Sequence, residues 1–175
     1  LFVIRLRISS KAGEKHLFSE KKNMSFKGSY EGAFKDTDAT FVIVPTPSIA
    51  SGEFSNNYVL EAVTKVGQEL SSTLQSKHLV VIVSTVMPGS TQGVIKKTLL
   101  EAVGKVSMDV RICYSPEFIA LGTVIKNMQF PDMVLIGEED KDAGDLLEEI
   151  SLSVVKNQPS VMRLSLSEAE ICKIA

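Results

Sequence analysis

Leu79-Val80-Val81-Ile82-Val83-Ser84-Thr85-Val86-Met87-Pro88-Gly89 is the stretch that decides the fold. An unbroken apolar run, mostly β-branched, stops abruptly in hydroxyl residues and a Pro-Gly turn. A run with no polar alternation is the pattern of a strand buried on both faces, as in a parallel sheet. Two further stretches repeat the design. Phe41-Val42-Ile43-Val44 runs into Pro45-Thr46-Pro47-Ser48, and Val110-Arg111-Ile112-Cys113-Tyr114 runs into Ser115-Pro116-Glu117-Phe118. In open α/β sheets, ligands bind beyond the carboxyl ends of the strands. Three such turns on one sheet edge converge on one crevice.

Working outward, the spacing predicts a strand over 2–8, a short helix over 30–36 and strands over 39–45, 79–84, 109–114, 133–137 and 161–164. Val59, Leu60, Val63, Val66 and Leu70 recur at helical spacing, which predicts a helix over 55–77 with Ser55 as its N-cap. Further helices are expected over 90–104, closed near Gly104, and over 140–155, where acidic residues in the first turn suit the helix dipole. Strands alternating with helices predict a parallel sheet with right-handed crossovers. Ser167-Glu168-Ala169-Glu170 reads as a capping box that starts one more helix. That helix is still in mid-pattern at Ala175. No glycine-rich turn follows a strand near the start, and Gly28 and Gly32 do not form a dinucleotide fingerprint. An internal piece of a longer protein is therefore expected.

Composition excludes several classes. The chain has 175 residues, with 44% hydrophobic and 23% charged, which suits one globular domain and argues against wholesale disorder. It carries no apolar stretch of membrane-spanning length and no signal-peptide pattern. The net charge of −2 argues against a nucleic-acid partner. Charge is uneven: residues 1–35 sum to +5 and the remainder to −7. The basic residues of the lead are irregularly spaced among Ser and Gly, which suits a solvated surface. Cys113 and Cys172 have no staple-like spacing, which points to a reducing cytoplasm. No metal motif is present.

VPTPS, STVMPGST, YSPEFIALG and EICKIA, in that order and at these spacings, resemble the UDP-glucose/GDP-mannose dehydrogenase family, the nucleotide-sugar 6-dehydrogenases. The motif match runs from about Ala39 to Ala175. The resemblance implies an α/β fold, a Rossmann-like parallel sheet with flanking helices, truncated at both ends. It divides the chain into a poorly matched lead (1–28), a partial NAD-binding domain (29–164) and the start of a central dimerisation helix (165–175). It further implies NAD as cofactor, a nucleotide-sugar substrate and a homodimer in the complete protein. The implied reaction takes a sugar CH2OH to a carboxylate by two hydride transfers, through a cysteine thiohemiacetal and a thioester, in polysaccharide biosynthesis.

By the same resemblance, Val44, Pro45, Thr46, Pro47 and Ser48 form the cofactor-side turn, joined by Ser84, Thr85 and Val86. Thr85 also helps to place water near the nicotinamide. Glu117 is the general base for thioester hydrolysis, and Phe118, Ile119, Ala120, Leu121 and Gly122 hold the nucleotide sugar with it. Lys173 stabilises the oxyanion of the tetrahedral intermediates and also touches substrate. Taken alone, each has an ordinary reading: a strand-ending turn for the prolines, a β-branched strand end for Thr85, a surface acid for Glu117, and a solvated helix residue for Lys173. Gly89, Ser90 and Thr91 read as a helix start that favours anions nearby. Glu170 is read as a capping residue.

Two departures matter. Many family members carry a second glutamate where this chain has Leu121, which cannot exchange a proton. The nucleophilic cysteine of the family belongs to a glycine-rich segment with no counterpart here. Cys113 lies in a strand and Cys172 in a different helical register, so both read as small buried apolar residues. Two other readings remain open at this point: a non-catalytic nucleotide-binding or oligomer-forming module, and a hydroxyacid-type NAD-dependent dehydrogenase. The SPEF segment speaks against the second. The isolated chain is expected to be inactive.

Overall fold

A computed structural model describes residues 27–119 and 122–175. The strand expected over 2–8 and the solvated lead lie outside these residues, as do Ala120 and Leu121.

Five strands form one sheet in the order β1-β2-β3-β4-β5: Ala39–Val42, Lys77–Ile82, Asp109–Tyr114, Met133–Glu138 and Ser160–Ser165. The deciding stretch behaves as its composition demands. From His78 onward every residue of β2 is buried, since it lies between two strands and under two layers of helix. Helices α1 (Asn57–Leu70) and α2 (Lys96–Val103) cover one face, and α5 (Leu166–Ile174) lies beside them. On the other face, α4 (Lys141–Val154) packs Ala143 and Leu147 onto Leu79, Val81, Cys113 and Ile136. A short α3 (Val124–Gln129), not expected from the sequence, precedes β4.

β1, β2 and β3 are parallel, and so are β4 and β5. The junction between the two groups is antiparallel, through Cys113 opposite Glu138 and Tyr114 opposite Gly137. The wholly parallel sheet is thus corrected to a mostly parallel one. Runs of apolar residues encode burial and not strand direction, so the reversal was invisible locally.

Other boundaries move for identifiable reasons. No helix forms over 30–36; Ala33 and Thr37 close successive turns onto the carbonyls of Tyr30 and Phe34, and Gly32 and Asp36 have positive φ of 58° and 57°. β1 ends at Val42, three residues before its expected end. Helix α1 stops at Leu70 and not at 77, because the hydroxyls of Ser71, Ser72 and Thr73 donate to the carbonyls of Gln68, Glu69 and Leu70. Its N-cap is Asn56; Ser55 instead accepts the Asn57 N–H at 3.3 Å. The helix expected over 90–104 opens as a π-helical turn (Thr91–Ile95), with Gly93 off helical geometry, and closes at Gly104, φ 72°. α4 is capped by Asp140, whose carboxylate accepts the Ala143 N–H at 2.9 Å.

The capping box of α5 is Ser165 with Glu168, not Ser167 with Glu170. Both pairs have the required spacing. Glu170 is engaged elsewhere, as described below.

Gly67 brings α1 onto α2. A Cβ at this position would stand 2.7 Å from the Ala102 Cβ and 2.8 Å from the Leu99 carbonyl oxygen. In the full-length protein, Gly67→Ala should therefore be destabilising by up to about 2 kcal/mol net, an overpacking cost of about 1–3 kcal/mol less the roughly 1 kcal/mol gain in helix propensity. A denaturation midpoint equal to or above that of the parent would contradict this packing.

Candidate active site

Because β1, β2 and β3 are parallel neighbours, their carboxyl ends share one rim. The ladder continues to that rim: the Val83 N–H bonds Val42 O at 3.0 Å and the Ser115 N–H bonds Ile82 O at 2.9 Å. Neighbouring strands stand about 4.8 Å apart. Pro45–Ser48, Ser84–Gly89 and Ser115–Ile119 therefore leave the sheet side by side.

Ser84 fastens the first two turns. Its hydroxyl accepts the Val44 N–H and donates to the Val44 carbonyl, both at 2.8 Å. That occupies the hydroxyl in holding backbone. Val86 is fully buried in the core, so only its backbone can face a ligand. Thr46 and Thr85 are half-buried on the rim, while Pro45, Pro47 and Ser48 are exposed. These are the residues free to line a cofactor's path.

Lys173 comes to the third turn from the far end of the chain. Its Nζ donates to the Glu117 carbonyl at 2.7 Å and lies 4.6 Å from the centre of the Phe118 ring. The ammonium is thus held beside Glu117 by a carbonyl dipole and an aromatic face. Burial pushes the half-buried Glu117 carboxyl upward, and the Lys173 charge partly offsets this. Pro116 is buried and anchors the turn. Phe118 is 43% exposed and Ile119 is half-buried, and both line a cleft with Glu117. Gly122, at φ 96°, turns the chain toward α3. Ala120 and Leu121 lie outside the described residues.

The cleft measures about 910 Å³. It runs from Val44 and Pro45 past Ser115–Ile119 to Met128 and Val134, with Phe41 and Ile43 on its apolar wall. Its size is in the range of ligand sites, and the Glu117 carboxyl, raised by burial, lines it. Thr46, Ser84, Thr85 and Lys173 stand outside its lining.

One functional-looking residue escaped the sequence reading. Glu170 is fully buried, and its carboxylate accepts the N–H groups of Gly89 and Thr91, the latter at 2.8 Å. The anion held by these two amides is therefore the chain's own carboxylate. The available signal was its spacing: three residues before Lys173, on the same helical face.

The thiols take no part in the rim. Cys113 is buried and its pKa is pushed up to about 12, chiefly by desolvation, so it stays a neutral thiol. Among the described residues no group of His, Cys, Asp or Glu could hold a metal ion, and no helix is long and apolar enough to cross a membrane.

Comparison with known proteins identifies the family and the fold. Residues 10–154 match the UDP-glucose/GDP-mannose dehydrogenase family, NAD binding domain, a match that begins earlier than the motifs do. The chain is 38% identical over 143 residues to UDP-glucose 6-dehydrogenase AglM of Haloferax volcanii, covering 80% of this chain and 33% of that protein. It is 33% identical over 145 residues to GDP-mannose 6-dehydrogenase of Pseudomonas aeruginosa, covering 82% and 32%. Among solved structures, a ternary complex of GDP-mannose dehydrogenase from Pseudomonas aeruginosa superposes with TM-score 0.79 at 32% identity, over 87% of this chain and 34% of that one. A UDP-glucose dehydrogenase from Pyrobaculum islandicum gives 0.78 at 31%, with the same coverage. The fold and rim define a Rossmann-like dinucleotide-binding domain. The chain belongs to the UDP-glucose/GDP-mannose dehydrogenase family. It spans about a third of the length of these relatives.

The Glu117–Lys173 pair has a measurable signature. Because folding raises the Glu117 pKa, this group favours the native state at low pH and loses that contribution as the pH climbs through the raised value. In full-length Lys173→Ala protein the attractive charge is gone, so Glu117 should titrate at still higher pH than in the parent. Carbon-13 NMR titration of the glutamate carboxyls checks this, and an unchanged or lower value would contradict it.

Proposed function

We propose that the full-length protein is an NAD-dependent nucleotide-sugar 6-dehydrogenase, with this chain contributing most of the cofactor domain and part of the substrate site. The single observation that carries the reading is Lys173, held within hydrogen-bonding distance of the Glu117 backbone on the rim shared with Thr46 and Thr85. The family's relatives are named for oxidising UDP-glucose or GDP-mannose, which supports a UDP- or GDP-sugar as substrate.

The overall change is RCH2OH + 2 NAD+ + H2O giving RCO2− + 2 NADH + 3 H+. NAD, when bound, supplies the hydride acceptor. The residues present fit its nicotinamide side: a hydroxyl-bearing rim at Thr46 and Thr85 opens beside a cleft of ligand size. Val44–Ser48 would flank the cofactor, with Pro45 and Pro47 restricting the backbone. Thr85 would hydrogen-bond the water used in hydrolysis. Glu117 would take the proton from that water as a general base, its carboxyl pKa raised by burial and this rise partly offset by the Lys173 charge. Lys173 would stabilise the oxyanion of the tetrahedral intermediates. Phe118, Ile119 and the segment through Ala120, Leu121 and Gly122 would hold the nucleotide sugar, whose remote contacts help to position the reacting carbon. The nucleophilic cysteine is neither Cys113 nor Cys172.

Residues 29–164 would form the cofactor domain and 165–175 the start of a helix that pairs subunits. Ile171 and Ile174 remain 52% and 42% exposed on α5, an apolar edge suited to a second copy. Two free thiols suit the reducing cytoplasm.

Reduction of NAD by full-length protein with a panel of UDP- and GDP-sugars tests the reading. Two NADH per sugar are expected. In Glu117→Gln, the first hydride transfer should persist while hydrolysis slows by about 10²-fold or more, so that thioester accumulates. One NADH per sugar, or no turnover with any sugar, would overturn the assignment; equal slowing of both steps would remove Glu117 from the base role.

A further inference from the structure

Glu170 is a carboxylate with no exposure to solvent, and the proposed chemistry does not use it. Its two oxygens take the N–H groups of Gly89 and Thr91, which lie 81 and 79 residues away in sequence. Those donors belong to the end of the Ser84–Gly89 turn and the first residue of the π-helical turn. Gly89 has φ 84°, a backbone geometry that turns its N–H inward at no side-chain cost. The positive end of the helix start favours the negative charge, so the contact is charge-assisted on both oxygens.

A two-point contact fixes both the height and the rotation of α5. Lys173 follows Glu170 by three residues and lies on the same face. Where α5 stands therefore decides where the Lys173 Nζ stands relative to Glu117. On its sheet side α5 is seated tightly as well. Gly137 has no side chain, and a Cβ there would come within 2.8 Å of the Ala169 Cβ.

We propose that Glu170 is a positioning residue: by gripping the Gly89 and Thr91 amides it registers Lys173 against Glu117, and so couples the turn that carries Thr85 to the turn that carries the base. The proposal rests on the dehydrogenase reading for its kinetic consequence but not for its structural one. The pair of amides is where that coupling can be cut.

In full-length protein, Glu170→Gln keeps the shape but places an amide NH2 against a backbone N–H, so one of the two bonds fails. The expected result is kcat lowered by at least about ten-fold with KM for NAD and sugar within about two-fold, since the loss is in transition-state positioning and not in binding. Hydrogen exchange should rise several-fold over 115–119, with no change over 79–83. This second readout holds even if the wild-type protein oxidises none of the sugars, an outcome that would count against the function and not against the grip. If the Gln form does not fold, Glu170→Asp, which keeps the charge but is one methylene too short to reach both amides, carries the same two readouts. Parent-like kcat in an active protein, or parent-like exchange over 115–119, would overturn the proposal.

Discussion

Parallel hydrogen bonding among β1, β2 and β3 is the constraint on which the site depends. It places three strand ends on one rim, about one strand spacing apart. Everything at the site is then an exit from that rim. Ser84 holds the first exit against the second with a bond in each direction to Val44. The third exit begins where Ser115 pairs with Ile82. A slip in the pairing of β3 would carry Glu117 away from Thr85 and turn its side chain to the other face.

The reversed pair β4 and β5 serves the same rim from the opposite direction. β5 runs antiparallel to β3, and because Cys113 pairs with Glu138 and Glu138 with Ser165, β5 ends level with the last residues of β3, so α5 starts close to the rim. From that start Glu170 reaches the first turn leading into α2 and Lys173 reaches Glu117. Helix α5 thus delivers a cation from the end of the chain to an acid in its middle.

Much of this was legible because burial on two faces leaves an unmistakable pattern. The run over Leu79–Val83 and its polar stop identified β2 and the turn after it, and β3 was placed at its observed bounds. The four motifs also identified the family. What the chain hides is non-local. Nothing in Met133–Glu138 encodes its direction, which is set by its neighbours. Ser165 and Ser167 each have a glutamate three residues on, and local chemistry cannot choose between them. The choice is made by the Gly89 and Thr91 amides, which need a carboxylate and find it in Glu170. Once Glu170 is taken, Ser165 and Glu168 cap the helix. Likewise, the apolar spacing of α1 ran past its end because the Ser71–Thr73 hydroxyls compete for the carbonyls there.

The rim thus combines an acid whose ionisation is resisted by burial with a cation held beside its backbone by hydrogen bonding. This pairing gives the proposed chemistry its polarity: a site for a proton near one for developing negative charge. The most direct test is a crystal structure of the full-length protein with NAD and its nucleotide sugar bound. The account requires the reacting sugar carbon to lie over the carboxyl rim of β1–β3, with the Glu117 carboxylate and Lys173 Nζ both turned toward it. A sugar bound away from that rim, or a Lys173 directed away from it, would contradict the account.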